Sequence, residues 1–129
     1  MAQDENSVDV LVVGTGASGM AAAVTAASQG LEVLVLEKEP RFGGTPARSG
    51  GWLWIPGTRL ATVRGIQEPA GAAKAYLKHE TTTHFHEKRV DAFLENGPKA
   101  IDFFTKNTCV QFDMPAVFPD YHATKGGNS

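Results

Sequence analysis

The sequence is poor in several features, and each shortage restricts what the protein can be. It has one cysteine in 129 residues, so no disulfide can form within the chain, and a reducing compartment, the cytoplasm, is expected. No apolar run is long enough to cross a bilayer. The polar stretch before Val8 lacks the basic start and apolar core of a secretory signal. The net charge of -2 argues against a nucleic-acid-binding surface.

Metal-ligand patterns are also missing. The histidines at 79, 84 and 86 lie near two glutamates, but they form neither an i, i+4 pair nor a Cys/His pattern. We therefore expect no metal site and interpret this stretch as a polar connection between two helices. The single cysteine, Cys109, lies between apolar residues, and we interpret it as a buried small hydrophobe.

Two short apolar runs predict an α/β fold. Val8 to Val13 and Leu31 to Leu36 are continuous runs of the kind found in strands buried on both faces. Between them, Met20 to Gln29 consists almost wholly of small, helix-compatible residues, and Gly30 stands where a helix commonly ends. A strand, a helix and a second strand within about 30 residues indicate one Rossmann-like βαβ unit.

A Gly-x-Gly-x-x-Gly pattern joins the first strand to the helix. In a chain with 14 glycines this pattern alone is weak evidence, but its position between strand and helix is that of a dinucleotide-binding turn. Gly14 permits the tight turn, Gly16 lets the backbone approach a pyrophosphate, and Gly19 lets the helix pack on the sheet. The N–H groups of Ala17 and Ser18 then face the phosphates at the positive end of the helix.

An acidic residue closes the second strand. Glu37 follows Gly19 by 18 residues, where a carboxylate accepts hydrogen bonds from a ribose and repels a 2′-phosphate. NADP is therefore not expected. We include the adjacent Lys38 among the predicted contacts. The alternative is a solvated glutamate beside two ordinary surface charges, Lys38 and Glu39.

The long loop that follows favours FAD over NAD. From Pro40 to Gly57 the chain is rich in Gly, Pro, Thr and Ser, and a loop of this length is commonly functional. Its two glycine pairs flank hydroxyl residues and offer backbone N–H groups to a second, larger part of a ligand. The predicted contacts are Gly43, Gly44, Thr45, Ser49, Gly50 and Gly51. Trp52 and Trp54 either wall the pocket or belong to a half-buried strand.

The rest of the chain is expected to be mainly helical. Helices are predicted over Glu68 to Lys78, over His86 to Glu95 and from Pro98 to about Lys106, with a short strand over Cys109 to Phe112. The aromatic residues Phe93, Phe103 and Phe104 are expected in the core. We divide the chain into an FAD-binding unit with its flavin loop, 1–66, and a helical continuation, 67–129. The two buried-strand runs, even with this short strand, make an incomplete parallel sheet, so we expect a front part of a larger protein with exposed sheet edges.

These segments together resemble a known family. Asp9 to Gly19, Glu37 and the loop from Gly43 to Gly51 resemble the fumarate reductase/succinate dehydrogenase flavoprotein family, and Trp52 to Gly57 is most similar to its 3-ketosteroid dehydrogenase-like branch. Similarity continues more loosely as far as Pro119-Asp120-Tyr121-His122, where a surface turn is a simpler interpretation than a catalytic pair.

The resemblance implies an FAD-dependent oxidoreductase that acts beside a carbonyl group on a small molecule, ketosteroid-like or dicarboxylate-like. It implies a ribose on Glu37, a pyrophosphate over Gly14 to Gly19 and a flavin along the 43–51 loop. Family members are much longer and carry their catalytic acid and base elsewhere, so no catalytic residue is assigned here. The alternative is a non-catalytic or truncated adenine-dinucleotide-binding module. One departure is Pro46, which replaces a hydroxyl residue and is expected to push Thr45 towards an extended conformation.

Overall fold

The computed structural model describes residues 7–115. They fall into two compact units, one ending at Leu53 and the other beginning at Trp54. The division into 1–66 and 67–129 stays a prediction. The interpretation of Tyr121 and His122 concerns residues that lie outside the described part.

The first unit contains the predicted βαβ arrangement. Strand β1 spans Val10–Val13, helix α1 spans Ala17–Ser28 and strand β2 spans Val33–Leu36. The strands are parallel, with Val10 opposite Val33 and Val13 opposite Leu36, so the predicted fold is confirmed. The helix ends as expected, because Gly30 adopts a φ of +82° and its N–H donates to the carbonyl of Ala27 at 3.0 Å.

Small residues bring α1 close to one face of this sheet. Val12 and Ala23 are buried, at 8% and 6% exposure. A Cβ added at Gly19 would be in van der Waals contact with Cγ1 of Val12, at 3.5 Å, so α1 packs closely on this face of the sheet. The opposite face is apolar and open, with Leu11 at 55% and Val13 at 78% exposure. Within the described residues the sheet has two strands, and this face leaves apolar side chains exposed.

In the described part of the second unit, residues 54–115, the regular structure is helical. Helix α2 spans Arg59–Val63, α3 spans Ala72–Thr81 and α4 spans Glu87–Asn107. The short α2 was not predicted; its N-cap is the buried Thr58, whose hydroxyl accepts from the N–H of Ala61 at 3.4 Å.

The polar connection predicted between helices lies between α3 and α4. A short 3-10 turn spans Thr82–His84. His86 then caps α4, with Nδ1 accepting from the N–H of Arg89 at 3.4 Å. These histidines therefore act at helix ends, which agrees with the interpretation of this stretch as a polar connection.

The predicted break at Gly97-Pro98 is wrong, because α4 continues through both residues. Packing explains the difference. A Cβ added at Gly97 would lie 3.0 Å from Cγ2 of Ile55, and one added at Gly57 would lie 3.7 Å from the ring of Pro98. The 55–57 segment therefore lies directly against the helix at its two weakest positions. These contacts, together with burial of Ile101, offset the poor helix propensity of glycine and proline.

Three smaller expectations also fail. No strand is present at 109–112, and Cys109 is exposed rather than buried. Phe93 is 38% exposed rather than a core residue. Its ring instead stacks on Trp54 at 6.1 Å between centroids, and Trp54 also contacts Tyr76 at 5.5 Å. Trp54 thus belongs to a half-exposed aromatic cluster, and no strand forms at 52–55.

No helix among residues 7–115 is both long and apolar enough to cross a membrane.

Candidate functional site

The glycine turn exposes the start of α1. Gly14 follows β1 with a φ of +95°, and its N–H donates to the carbonyl of Leu36 at 2.7 Å, which joins the ends of the two strands. Gly16 is the N-cap of α1 and has no side chain to cap it. The first bond within the helix runs from the N–H of Met20 to the carbonyl of Gly16 at 3.0 Å. The N–H groups of residues 17–19 therefore have no helical acceptor and are suited to an anion.

The space around each glycine separates two roles. A Cβ added at Gly16 or Gly14 would meet no atom within 4 Å. A Cβ added at Gly19 would lie 2.1 Å from the carbonyl oxygen of Gly14. Gly19 is therefore required by the packing of the protein itself. The space beside the Cα of Gly16 is open, and a pyrophosphate that approaches the backbone closely requires such a space.

The carboxylate of Glu37 lies beside this turn. It accepts hydrogen bonds from the N–H of Glu39 at 3.0 Å, from the N–H of Thr15 at 2.9 Å, and from the Thr15 hydroxyl. These donors, the Glu39 amide foremost, lower the pKa of Glu37 to about 2, so the group is ionised at neutral pH. An ionised carboxylate has about four acceptor sites. Three are engaged by these donors, and the backbone of Lys38 also lowers the pKa of Glu37.

Thr15 was not among the predicted site residues. It is 6% exposed, and its Oγ1 accepts from the N–H of Gly43 at 2.8 Å in addition to donating to Glu37. The signal for it in the sequence was a hydroxyl residue at the middle position of Gly-x-Gly. That position is fixed by the turn and faces the end of the second strand, so it can reach a carboxylate there.

The first half of the long loop lies against the glycine turn. Gly43 and Gly44 adopt φ values of +111° and +56°, which residues other than glycine rarely reach. A Cβ added at Gly44 would lie 3.1 Å from Cα of Gly16. The structure therefore brings this glycine pair, the turn and Glu37 into one place.

The expected effect of Pro46 is wrong. Thr45 is not extended but helical, with φ of -59° and ψ of -39°, and it caps a 3-10 turn over Pro46–Arg48. Proline suits the first position of a helical turn, where its missing N–H has no acceptor to lose. The N–H of Arg48 donates to the carbonyl of Thr45 at 2.9 Å, which holds Thr45 in this conformation.

The remaining predicted residues make local contacts. The hydroxyl of Ser49 donates to the carbonyl of Pro46 at 2.8 Å and accepts from the N–H of Gly51 at 3.1 Å. A Cβ added at Gly50 would lie 2.9 Å from Cδ1 of Trp52. Lys38 is 90% exposed, with Nζ 3.7 Å from the carboxylate of Glu39. These described contacts do not connect the four residues to the glycine turn.

A groove of about 790 Å³ opens beside Glu37. This volume is within the range of about 300–1,000 Å³ that is usual for small-molecule sites. The groove combines carboxylates, two guanidinium groups and one exposed aromatic ring, and it is lined by Glu37, Glu39, Pro40, Arg41, Phe42, Gly44, Thr45, Ala47 and Arg48. Within the described residues, no group of three or more His, Cys, Asp or Glu side chains could hold a metal ion.

Comparison with known proteins identifies the class to which this site belongs. Residues 9–128 match the family described as FAD binding domain. The chain belongs to this family, and FAD is its cofactor. The residues present fit that cofactor, because the turn, the open space at Gly16 and the ionised Glu37 are the groups that a dinucleotide requires.

Individual relatives are dehydrogenases of carbonyl compounds. The chain is 50% identical over 113 residues to 4-oxocyclohex-2-ene-1-carboxylate 5-dehydrogenase of Sinomonas cyclohexanicum, covering 88% of this chain and 19% of that protein. It is 40% identical over 119 residues to 3-oxosteroid 1-dehydrogenase of Mycobacterium tuberculosis, covering 92% and 21%.

A solved structure gives the same result. The chain resembles 3-ketosteroid delta1-dehydrogenase of Sterolibacterium denitrificans in complex with 1,4-androstadiene-3,17-dione, with a TM-score of 0.70 and 41% identity over 78% of this chain and 17% of that one. The predicted resemblance to ketosteroid dehydrogenases is thus confirmed. The chain spans about a fifth of the length of the curated relatives it matches.

Proposed function

We propose that this chain binds and orients FAD within an oxidoreductase that dehydrogenates or reduces a small molecule beside a carbonyl group. The observation that carries the proposal is the placement of an ionised Glu37 beside an uncapped helix start whose cap, Gly16, faces open space. A negative pyrophosphate requires free N–H groups at a helix start after the first strand, and a ribose diol requires an acidic residue at the end of the second strand.

Different residues are proposed to bind different parts of the cofactor. The N–H groups of Ala17, Ser18 and Gly19 would hold the pyrophosphate, and Glu37 would accept from the ribose hydroxyls of the adenosine. Gly43, Gly44 and Thr45 would lie along the middle of FAD, and residues 49–51, together with Lys38, are proposed as further contacts. FAD, when bound, supplies the hydride chemistry, and the chain supplies binding and orientation.

The relatives support a cyclic ketone as substrate. Two of them are named for 4-oxocyclohexene carboxylate and for 3-oxosteroids, which share a ring bearing a carbonyl group. A ketosteroid-like compound is therefore proposed ahead of a dicarboxylate. The single cysteine supports a reducing compartment, and we propose a cytoplasmic location.

The test is the visible spectrum and ligand preference of the purified 129-residue chain. We expect flavin absorbance that remains after desalting, and fluorescence titration that shows FAD bound and NAD not bound. Glu37→Gln should weaken FAD binding at least about tenfold, because a neutral amide is a poorer acceptor than a carboxylate. Glu32→Gln is the matched control, since Glu32 is exposed and lies outside the groove.

Two results would contradict the proposal. A colourless chain that takes up NAD but not FAD would indicate a different dinucleotide site. A chain that binds FAD equally well with Glu37→Gln and Glu32→Gln would remove Glu37 from the site. A non-catalytic adenine-dinucleotide module would instead bind FAD and ADP-ribose with equal affinity, because it would use only the adenosine half of the cofactor.

A further inference from the structure

We propose that Thr15 is a positioning residue that couples the ribose-binding carboxylate of Glu37 to the start of the flavin loop at Gly43. The proposal rests on the function proposed above, and it adds a residue whose side chain is not itself a contact of FAD. It is based on the buried side chain of Thr15, whose hydroxyl donates to the Glu37 carboxylate and accepts from the N–H of Gly43. The backbone N–H of Thr15 also donates to Glu37.

The direction of each hydrogen bond is fixed by chemistry. An ionised carboxylate can only accept, and a backbone N–H can only donate. The single hydroxyl proton of Thr15 must therefore point at Glu37, and the oxygen of Thr15 must accept from Gly43. The hydroxyl cannot rotate without losing one of these bonds. Weakening of the Thr15–Glu37 hydrogen bond therefore also weakens the hydrogen bond from Gly43 to Thr15, although Glu37 and Gly43 share no hydrogen bond among those described.

The coupling joins segments that are far apart in the chain. Thr15 and Glu37 are separated by 22 residues, and Thr15 and Gly43 by 28. No regular secondary structure lies between Glu37 and Gly43, so the strand end and the loop have no shared ladder to fix their spacing. The Thr15 side chain supplies that constraint. A loop held in this way is ordered before the ligand arrives, which lowers the entropy lost on binding.

Valine is the variant that isolates the hydroxyl. Thr15→Val keeps the shape and removes both side-chain bonds, whereas Thr15→Ser keeps the hydroxyl. Thr105→Val is the control, since the Thr105 hydroxyl donates to the carbonyl of Ile101 within its own helix. Each variant is first compared with the wild type by circular dichroism.

The first readout needs no cofactor. Amide hydrogen exchange should be about tenfold faster at Gly43 in Thr15→Val than in the wild type, because the amide loses its acceptor. Thr15→Ser should restore protection, and Thr105→Val should have no effect. Glu37→Gln leaves Thr15 in place and replaces the charged acceptor of its hydroxyl by a neutral, weaker one. The Thr15 side chain is then held less firmly, and exchange at Gly43 should also become faster, by a smaller factor. This second variant keeps the proposal testable if Thr15→Val does not fold.

The second readout is the pH dependence of FAD binding. Lys38, Glu39, Arg41 and Arg48 are the charged groups near Glu37, and none of them is changed. The wild type should bind FAD with constant affinity from pH 7 down to about 4.5. In Thr15→Val the carboxyl loses one of its donors and its pKa rises from about 2 towards 4.5, so the loss of affinity should begin at a higher pH than in the wild type. Thr15→Ser should again be flat.

The outcomes separate the two proposals. If the wild type binds no FAD but Gly43 exchange responds to Thr15→Val and to Glu37→Gln, the proposed function fails and the coupling stands. If FAD binds but Gly43 exchange is the same in the wild type, in Thr15→Val and in Glu37→Gln, the coupling is refuted. Failure of Thr15→Ser to restore exchange and the flat pH profile would also refute it.

Discussion

Replacing Gly16 and Gly19 separately by alanine distinguishes a glycine required by the ligand from one required by the fold. At Gly16 the φ is -64° and an added Cβ meets nothing within 4 Å, so alanine fits the protein without strain. Alanine is a poorer N-cap than glycine, so we expect its free energy of unfolding to fall by about 0.5–1 kcal/mol. FAD binding should weaken by about 10- to 100-fold, because the methyl group stands where the pyrophosphate meets the helix start and removes one charge-assisted hydrogen bond, worth about 1.5–3 kcal/mol.

At Gly19 we expect alanine to lower the stability of the protein itself. The added Cβ would lie 2.1 Å from the carbonyl oxygen of Gly14 and 3.1 Å from its carbon. A backbone atom cannot rotate away, so the helix must move from the strand, at a cost at the upper end of the overpacking range, about 3 kcal/mol. Alanine regains about 1 kcal/mol of helix propensity. The net loss of about 2 kcal/mol should lower the melting temperature by about 10 °C.

Urea unfolding followed by circular dichroism measures the free energy of unfolding of each variant. Flavin fluorescence titration measures its affinity for FAD. Gly30→Ala is the control for backbone strain alone, since Gly30 has a φ of +82° in open space. It should cost about 1–2 kcal/mol and leave FAD affinity unchanged. The reasoning is refuted if Gly16→Ala destabilises the chain as much as Gly19→Ala does, or if Gly16→Ala binds FAD like the wild type.

Three further predictions concern the rest of the chain. The pKa of Glu37 is lowered from 4.5 to about 2 on folding, so its contribution to stability should be complete above about pH 4.5 and lost as the pH falls towards 2. The free energies of unfolding of wild type and Glu37→Gln, measured in urea, should therefore converge over that interval. A difference that stays constant with pH would contradict this prediction. Pro98→Ala restores a backbone donor inside α4 and should raise the free energy of unfolding by about 1–2 kcal/mol, whereas a less stable variant in thermal melts would show that the ring contact matters more. Trp54→Ala removes two aromatic contacts and should cost about 2 kcal/mol, with Trp54→Phe recovering part of it; equal stability of Trp54→Ala and wild type would rule out a structural role.

The βαβ unit could be predicted because its rules are local. Continuous apolar runs mark β1 and β2, small residues mark α1, and a glycine at a helix end marks the turn at Gly30. Each inference uses residues within a few positions of one another. The same holds for the glycine turn, whose strand before and helix after are both contiguous in sequence.

Expectations failed where distant residues decide the outcome. Helix α4 continues through Gly97 and Pro98 because Ile55 and its neighbours pack there. The hydrophobic periodicity of α4 alone cannot predict that contact. The exposure of Cys109 depends likewise on which segments cover it. The failure at Thr45 is local instead: the residue before a proline is usually extended, but Thr45 is helical because a 3-10 turn begins at it.

Thr15 was missed for a different reason, which concerns how this site is made. Most of its groups are backbone atoms: N–H donors at the start of α1, and glycines whose lack of a side chain leaves space or permits a positive φ. Among the site residues predicted from the sequence, Glu37 is the one that carries a carboxylate. What orients a lone carboxylate must then be a second polar side chain or a backbone amide, and both are present, in Thr15 and Glu39. In a site built from backbone, the informative side chains are therefore those that hold the one functional group in place.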